Sequence, residues 1–355
     1  MNYVESKRAH EVCRAAAERR GVSEEHAEWF AEALVRTSML GIDTHGLRLL
    51  PIYLRELDEG RSNPKPVFRV LRRNGGTAAI DADDALGAVA GTYAARLAVE
   101  LAREHGVGVV TVANSNHFGA ASVYGSQIAA EKMVGIVSTS AAARMAPFNG
   151  RVPMFGTNPL CFSAPAGASE AFVFDMATSQ ISYSQIKHYR KLGLPLPGGW
   201  ALDSSGEPTE EPSNVSALSP LGGYKGQGLA MVVQILSCLL TSMPLDTQLE
   251  HLDTGSFKAG RQIGHFLLAL DPTRFIDLAH FEQSVANLKV AIRETPAKDG
   301  TNVLCPGDPQ ARCIEQRLQT GIPLGADESS AFGVEELACI ELGLLPSGEL
   351  VGDAA

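Results

Sequence analysis

The sequence predicts an α/β protein in which helices cover a layered sheet, and three observations carry that prediction. Val107-Gly108-Val109-Val110-Thr111-Val112 is a β-branched run of strand length, and Val134-Gly135-Ile136-Val137-Ser138-Thr139 is a second. Between them a helical stretch ends at Lys132, so strand, helix and strand alternate. Upstream, the chain to about residue 65 reads as helix, which sets a helical layer beside the sheet.

Taken in order, Ser6–Arg20 reads as a helix ended by Gly21. Ser23 caps a second, with Glu24 and Glu25 in its first turn and Ala27, Phe30, Ala31, Leu34 and Met39 on its buried face. A stripe of Tyr53, Leu54 and Leu57 then runs to Gly60, and Pro51 begins or bends this third helix. Thr77–Asp81 is a strand and Ala88–His105 an alanine-rich helix. Further strands are expected at Leu160–Ser163, Phe172–Asp175 and His265–Leu270, and helices at Leu229–Thr241, Leu278–Arg293 and Gln310–Thr320. Residues 193–224, rich in Gly, Pro and Ser, read as loops. Leu229–Leu245 is the most apolar run. Gln234, Ser237, Ser242 and Pro244 make it too short and polar for a membrane span, so it reads as a buried helix. The last fifteen residues are expected to be poorly tied down.

A chain of 355 residues, 45% hydrophobic and 20% charged, buries a large core and suggests two or three substructures. The net charge of −10 argues against a nucleic-acid partner and against an anionic membrane surface. None of the six cysteines forms a C-x-x-C pair, which fits free thiols in a reducing compartment. The N-terminus has no apolar segment of the signal-peptide kind, so a cytoplasmic location is expected.

Chemistry is expected first at Gly41-Ile42-Asp43-Thr44-His45-Gly46-Leu47-Arg48. If the chain turns at Asp43-Thr44 and re-enters a helix, His45 and Arg48 share one helix face. A proton donor beside a guanidinium suits a 2-oxo or 2-hydroxy acid, although both residue types near a helix start also serve as solvated polar groups. Asn116-His117-Phe118-Gly119 follows a buried strand, where α/β sheets place ligands; the same histidine could equally be a cap. No carboxylate or cysteine stands at ligand spacing from either histidine, so no metal is expected. Glycines and Lys225 in Leu221–Gly228 can cradle a phosphate at a helix start or merely connect, and the stretch is neither a P-loop nor a Rossmann fingerprint. Phe174–Ser179 offers hydroxyls at a strand end, Cys305-Pro306-Gly307-Asp308 is a turn, and Arg144 stands alone among small apolar residues.

Together these stretches resemble the type 2 malate/L-lactate dehydrogenase family, non-Rossmann NAD(P)-dependent oxidoreductases that include malate, sulfolactate and ureidoglycolate dehydrogenases, a diketogulonate reductase and cyclic-imine reductases. Besides those above, the matching stretches are Gly156-Thr157-Asn158-Pro159, Gly199–Asp203 and Gly264-His265-Phe266, in the family's order over nearly the whole chain. The resemblance implies a large mixed, mostly antiparallel sheet with helical layers, and a homodimer. It implies a helical layer at 1–72, a substrate-side α/β domain at 73–125 and 285–355, and a dinucleotide-binding domain at 126–284. It implies His45 or His117 as general acid/base, Arg48 as the grip on the substrate carboxylate, and NAD(P)H contacts at Asp175, Met176, Ala177, Thr178, Ser179, Lys225, Gly226, Pro306, Gly307 and Asp308. The chain departs from the family with Ser140 where Asn is frequent, Asn149-Gly150 where Gly-Gly is frequent, and Ser184-Gln185 where Gly-Lys is frequent. Ser140 and Arg144 are therefore candidate specificity residues.

The expected reaction moves a hydride to or from C2 of a small carboxylate, a 2-oxo/2-hydroxy acid pair, with an imidazole titrating near neutrality as proton donor and acceptor. A cyclic-imine or ketimine reductase is the alternative within the class, because the same residues serve a C=N bond beside a carboxylate. An inactive dinucleotide-binding protein is the alternative outside it. A metal hydrolase lacks a third ligand.

Overall fold

Seven strands form one sheet that carries most of the chain's architecture. The computed structural model describes residues 2–168 and 170–346; of the fifteen C-terminal residues singled out above, 347–355 lie outside the described residues. The elements are β1 (Asn2–Val4), α1 (Ser6–Glu18), α2 (Glu24–Met39), α3 (Leu50–Glu59), β2 (Arg69–Asn74), β3 (Thr77–Asp81), α4 (Gly87–His105) and β4 (Val107–Ser115). They continue with α5 (Ala121–Ala130), β5 (Val134–Thr139), β6 (Leu160–Ala164), β7 (Phe172–Met176), α6 (Tyr183–Leu192), β8 (Ala201–Leu202), β9 (Ala217–Leu218) and α7 (Tyr224–Gln234). The last are β10 (Ile263–Leu270), α8 (Leu278–Arg293), α9 (Asp308–Thr320), β11 (Ile322–Leu324) and α10 (Ala326–Glu341).

The sheet order is β2-β3-β4-β10-β5-β6-β7. Only β3 and β4 pair in parallel; β10 is antiparallel to both its neighbours, and β2–β3, β5–β6 and β6–β7 are antiparallel too. The sheet is therefore mixed and mostly antiparallel, as the family resemblance implies. Alternation explains β4: Gly108, Val110 and Val112 are buried, with partly exposed residues between them. Helices α4 and α5 cover one face, where a side chain at Gly135 would meet Ile128 of α5. The other face is covered by α7 and the wider π turn at Ile235–Leu239, where Ser237 and Ser138 hydroxyls lie 3.0 Å apart.

The helical layer of α1, α2 and α3 packs beside this sheet. β1 pairs with β11, and α10 packs on α1 and α3, so both ends of the described chain meet there. Ser23 caps α2 as expected, its hydroxyl accepting the His26 N–H at 3.3 Å. Two expectations fail. The run from Leu229 is not a buried helix: α7 and the π turn expose Tyr224, Met231, Val232, Ile235, Leu239 and Leu240, because only their sheet-facing side has a neighbour among the described residues. The loops at 193–224 hold the small β8–β9 ladder.

Candidate functional site

Because β10 runs antiparallel to both β4 and β5, and β7 is two antiparallel steps from β5, strands β4, β5 and β7 share one direction. Their C-terminal ends meet at one edge of the sheet and deliver three functional stretches there: Asn116-His117, Ser140 and Thr178-Ser179. Sheets gather ligand-binding loops at such edges because the strands hold each loop's root in place.

The His117 loop is locked from several sides. The Asn116 side chain donates to the Asp84 and Ala85 carbonyls (2.9 and 3.0 Å) and accepts the Arg261 backbone N–H at 3.0 Å. Gly87, at the head of α4, lets the chains meet: a Cβ there would sit 2.3 Å from the His117 carbonyl oxygen. His117 Nδ1 is 2.7 Å from the Tyr53 hydroxyl of α3, which leaves Nε2 without a partner among the described residues. The His45 ring stacks on the His117 ring, centroids 5.7 Å apart and planes at 25°, and its Nδ1 is 2.8 Å from Thr44 Oγ1.

The connector that carries His45 is not one helix. Asp43–His45 and Leu47–Leu49 are separate 3-10 turns with Gly46 between them, so the shared-face argument for His45 and Arg48 does not hold. Gly46 is required by crowding: a Cβ would fall 2.1 Å from Ser38 Oγ, the hydroxyl that accepts the Leu47 N–H. His45 and Arg48 reach the same place nevertheless. A cleft of about 260 Å³ is lined by His45, Arg48, His117, Ser140 and Arg144, with Lys187, His251, Asp253 and Arg261 completing its walls. Arg48 Nε lies 3.2 Å from Glu328 of α10. The Arg144 guanidinium lies over the Tyr183 ring at 4.0 Å.

Burial keeps both imidazoles neutral. It pushes His45 down to about 4. His117 is held well below its ordinary value, first by burial and then by the charges of His45, Arg261 and His265. The expectation of an imidazole titrating near neutrality is thus corrected. Beneath the site His265 is fully buried between Thr139 Oγ1 and Ser115 Oγ, each 2.7 Å away, and stacks on Phe118. Burial lowers it to about 3, so it is a neutral brace.

A second cavity, of about 340 Å³, lies on the α5 side of β7 and is lined by Asp175, Gly307, Ser122 and Gln310, with Leu40, Ile42, Val173 and Ile314 as apolar walls. Asp175 accepts the Ser122 N–H at the start of α5 (2.7 Å), and burial raises its carboxyl. Ser122 Oγ and Gln310 Oε1 are buried there without a partner. Buried polar atoms left unsatisfied in an apolar-walled cavity mark where a ligand's polar groups fit. From Asp175 the chain passes Met176 and Ala177 to Thr178, whose N–H and hydroxyl both go to the Thr157 carbonyl, and Thr157 lines the first cleft. The run Asp175–Ser179 therefore connects the two spaces. Thr178 and Ser179 are buried with their hydroxyls given to backbone carbonyls. Gly226 packs against the Thr178 carbonyl, and Lys225 beside it is exposed. Pro306 and Gly307 lead into α9, and the Asp308 carboxylate holds Arg293 and the Cys305 N–H.

Sequence reasoning missed Tyr53 as more than a buried stripe residue, and it missed Arg261, His251, Lys187 and Glu328 entirely. His265 stood in a matching stretch without a role. Among the described residues no group of three or more His, Cys, Asp and Glu side chains could hold a metal ion, and no helix is long and apolar enough to cross a membrane.

The sequence profile described as malate/L-lactate dehydrogenase matches residues 4–331. Malate dehydrogenase of Pyrococcus horikoshii is 34% identical, over 86% of this chain and 86% of that protein. Ureidoglycolate dehydrogenase (NAD(+)) of Escherichia coli K12 is 34% identical over 84% of each. (2R)-3-sulfolactate dehydrogenase (NADP(+)) of Chromohalobacter salexigens is 35% identical over 76% of this chain and 81% of that one. Among solved structures, sulfolactate dehydrogenase from Methanocaldococcus jannaschii aligns with a TM-score of 0.89 at 30% identity, covering 97% and 98% of the two chains. Delta1-piperideine-2-carboxylate reductase from Pseudomonas syringae aligns at 0.83 with 25% identity, covering 94% and 100%.

Proposed function

This chain belongs to the malate/L-lactate dehydrogenase family and is an oxidoreductase of that type; from this premise we propose that it transfers a hydride between NAD(P) and C2 of a small 2-oxo or 2-hydroxy acid. The observation that carries the reading is the pair of stacked, neutral histidines in a cleft of about 260 Å³ that Arg48 also lines. The nicotinamide supplies or takes the hydride when bound. Every other part of the work falls to this chain's residues. Arg48 grips the substrate carboxylate with its fork of N–H donors and sets C2 in place.

We assign proton transfer to Nε2 of His117, with His45 as the alternative. In oxidation a neutral imidazole takes the hydroxyl proton as the C–H bond is lost. For Nε2 to take a proton the neutral ring must carry its hydrogen on Nδ1, which donates to the Tyr53 oxygen; the same Nδ1–H donates there in the charged ring, so Tyr53 holds the reactive tautomer through both states. In reduction the same nitrogen returns a proton to the carbonyl oxygen, and a bound substrate anion raises the pKa that burial has lowered.

The residues present fit a dinucleotide. The cavity at Asp175 and Gly307, with its unpaired Ser122 and Gln310 atoms, suits an adenosine end, and Met176 to Ser179 lead from it to the cleft. Lys225, Gly226, Pro306 and Asp308 are the remaining contacts of this reading. In it, residues 126–284 carry most dinucleotide contacts and most of the cleft's walls, 73–125 supplies His117, and 1–72 supplies His45 and Arg48. The exposed apolar side chains of α7 and the π turn suit a second copy of the chain, a point that light scattering of the purified protein tests.

The experiment for the reaction is a panel of 2-oxo acids, with piperideine- and pyrroline-2-carboxylate beside them, followed by loss of reduced-nicotinamide absorbance with NADH and with NADPH. Turnover of the oxo acids supports the reading. Turnover of the imines alone replaces it with the imine-reductase alternative, which the likeness to the piperideine-carboxylate reductase favours. Cofactor binding with no turnover of any compound replaces it with the inactive alternative.

A further inference from the structure

We propose that Arg144 forms a second anion-binding position in the cleft, and that the substrate is accordingly a 2-oxo or 2-hydroxy acid with a second acidic group, a dicarboxylate or a sulfonated carboxylate. The proposal deepens the reading above and rests on it, since it takes the cleft as the seat of the oxo acid.

The chain as a whole carries −10, yet the cleft is lined by four cations, Arg48, Arg144, Lys187 and Arg261, and one carboxylate, Asp253. The three histidines there do not alter the balance, because burial lowers each of them below its ordinary value. A local reversal of sign concentrates anions. Three of the cations are engaged. Arg48 faces Glu328 at 3.2 Å, Lys187 pairs with Asp253 at 3.3 Å, and Arg261 gives its terminal nitrogens to the His251 and Glu250 carbonyls at 3.2 and 2.7 Å. Arg144 has no ion pair and no side-chain hydrogen bond to any described residue. Its guanidinium lies over the Tyr183 ring, a contact that occupies none of its five N–H donors.

Its backbone is fixed as firmly. The Arg144 N–H donates to the Phe155 carbonyl at 2.7 Å, and its carbonyl accepts the Leu218 N–H at 2.8 Å. A half-buried guanidinium held over a ring, on a loop pinned by backbone hydrogen bonds, with its donors free inside a cleft, is a prepared receptor for a planar or tetrahedral oxyanion. With Arg48 taking the carboxylate beside C2, Arg144 is left for an acid at the other end. A monocarboxylate or a cyclic imine would bring nothing to pair with it.

The test compares kcat/KM for oxaloacetate and for 2-oxobutanoate, its chain-matched monocarboxylate, at saturating cofactor in the wild type, Arg144→Gln and Arg144→Lys. The wild type is expected to favour the dicarboxylate. Arg144→Gln is expected to cut that ratio about 10- to 100-fold, the weight of a charge-assisted hydrogen bond, and Arg144→Lys to cut it less. An unchanged ratio overturns the proposal. So does a variant that instead raises KM for the cofactor with the ratio intact, which would give Arg144 to a cofactor phosphate. Calorimetric binding of succinate against butanoate reads the same position without chemistry. Succinate binding that is lost in Arg144→Gln supports the proposal even if no acid is turned over, in which case only the oxidoreductase reading falls. Equal binding of the two in the wild type overturns it, whatever the turnover. Thermal midpoints of the variants confirm that each is folded.

Discussion

The phenolic oxygen of Tyr53 lies 2.7 Å from Nδ1 of His117, so a helix of the N-terminal layer holds a ring that the central sheet delivers. Tyr53 is buried and its own proton is held tightly, burial raising its pKa well above the ordinary phenol value. Tyr53 is a positioning residue. Tyr53→Phe is expected to lower kcat about 2- to 10-fold, the weight of one net hydrogen bond, with cofactor KM unchanged and the acid limb of the oxidation pH profile displaced. A kcat loss with an unmoved profile would reduce Tyr53 to packing.

Removing either imidazole separates the two candidates for proton transfer. His117→Ala is expected to lower turnover about 100- to 10,000-fold with dinucleotide affinity retained, measured by cofactor fluorescence. His45→Ala is expected to cost less, since His45 has no tyrosine anchor. The reverse order would move the role to His45, and normal turnover in both variants would remove it from the pair.

Arg48 and Glu328 make a competition. Their side chains are 53% and 28% exposed, so the pair adds about 0–1 kcal/mol to stability. A substrate carboxylate must displace Glu328 or share Arg48 with it. Glu328→Gln keeps an oxygen for the Gly325 N–H that Glu328 now caps and removes the competing charge. It is expected to lower the KM for the acid several-fold and to leave the melting temperature nearly unchanged. Arg48→Lys is expected to raise that KM, because a point charge cannot reproduce the fork.

Acid should weaken the fold through its buried histidines. His45, His117 and His265 all have lowered folded-state pKa values, so below about pH 6.5 the unfolded chain binds protons that the folded chain refuses. Stability contributed this way is complete above pH 6.5 and is lost as pH falls from there toward about 4 and then 3, where His45 and His265 finally take their protons. Each buried ring adds a slope of about 1.4 kcal/mol per pH unit within its window. Thermal melts between pH 7 and 5 read it, and His265→Gln should flatten the slope.

Arg61 is buried with Glu56, and its terminal nitrogens reach the Leu252, Thr254 and Ser256 carbonyls. Phe257 is clasped between Arg55 and Arg61, whose guanidinium carbons lie 3.9 and 3.7 Å from its ring centre. Arg61→Ala strands the Glu56 carboxylate and is expected to cost about 3–5 kcal/mol in chemical denaturation. Adding Glu56→Gln should recover part of that loss. The KM for the acid should rise in both, since the loop so held carries His251, Asp253 and Arg261 into the cleft.

The fold was legible where one residue type repeated with one period. Val107–Val112 and Val134–Thr139 read as strands because both are buried in the centre of the sheet, and α2 and α4 read as helices from their apolar stripes. β2 was not legible: Arg69, Arg72 and Arg73 lie on an exposed edge strand with no apolar alternation to reveal it. α6 fell among polar residues and α10 mixes apolar and acidic residues without a clear stripe, so both went unread. Strand order was out of reach, since nothing local in Ile263–Leu270 says that it inserts between β4 and β5. At the site, motif histidines and glycines stood out by type. Tyr53, Arg261 and Glu328 did not, because each acts through a partner more than 60 residues away in the chain.

The late position of β10 also sets the order in which a growing chain can fold. Until residues 263–270 emerge from the ribosome, β4 and β5 have no strand between them, and their facing edges stay open while residues 140–262 are made. Open apolar edges of this kind recruit other chains. Synthesis therefore passes through an interval in which the half-built sheet presents open edges, and the edge that carries the cleft closes only when that one strand slots home.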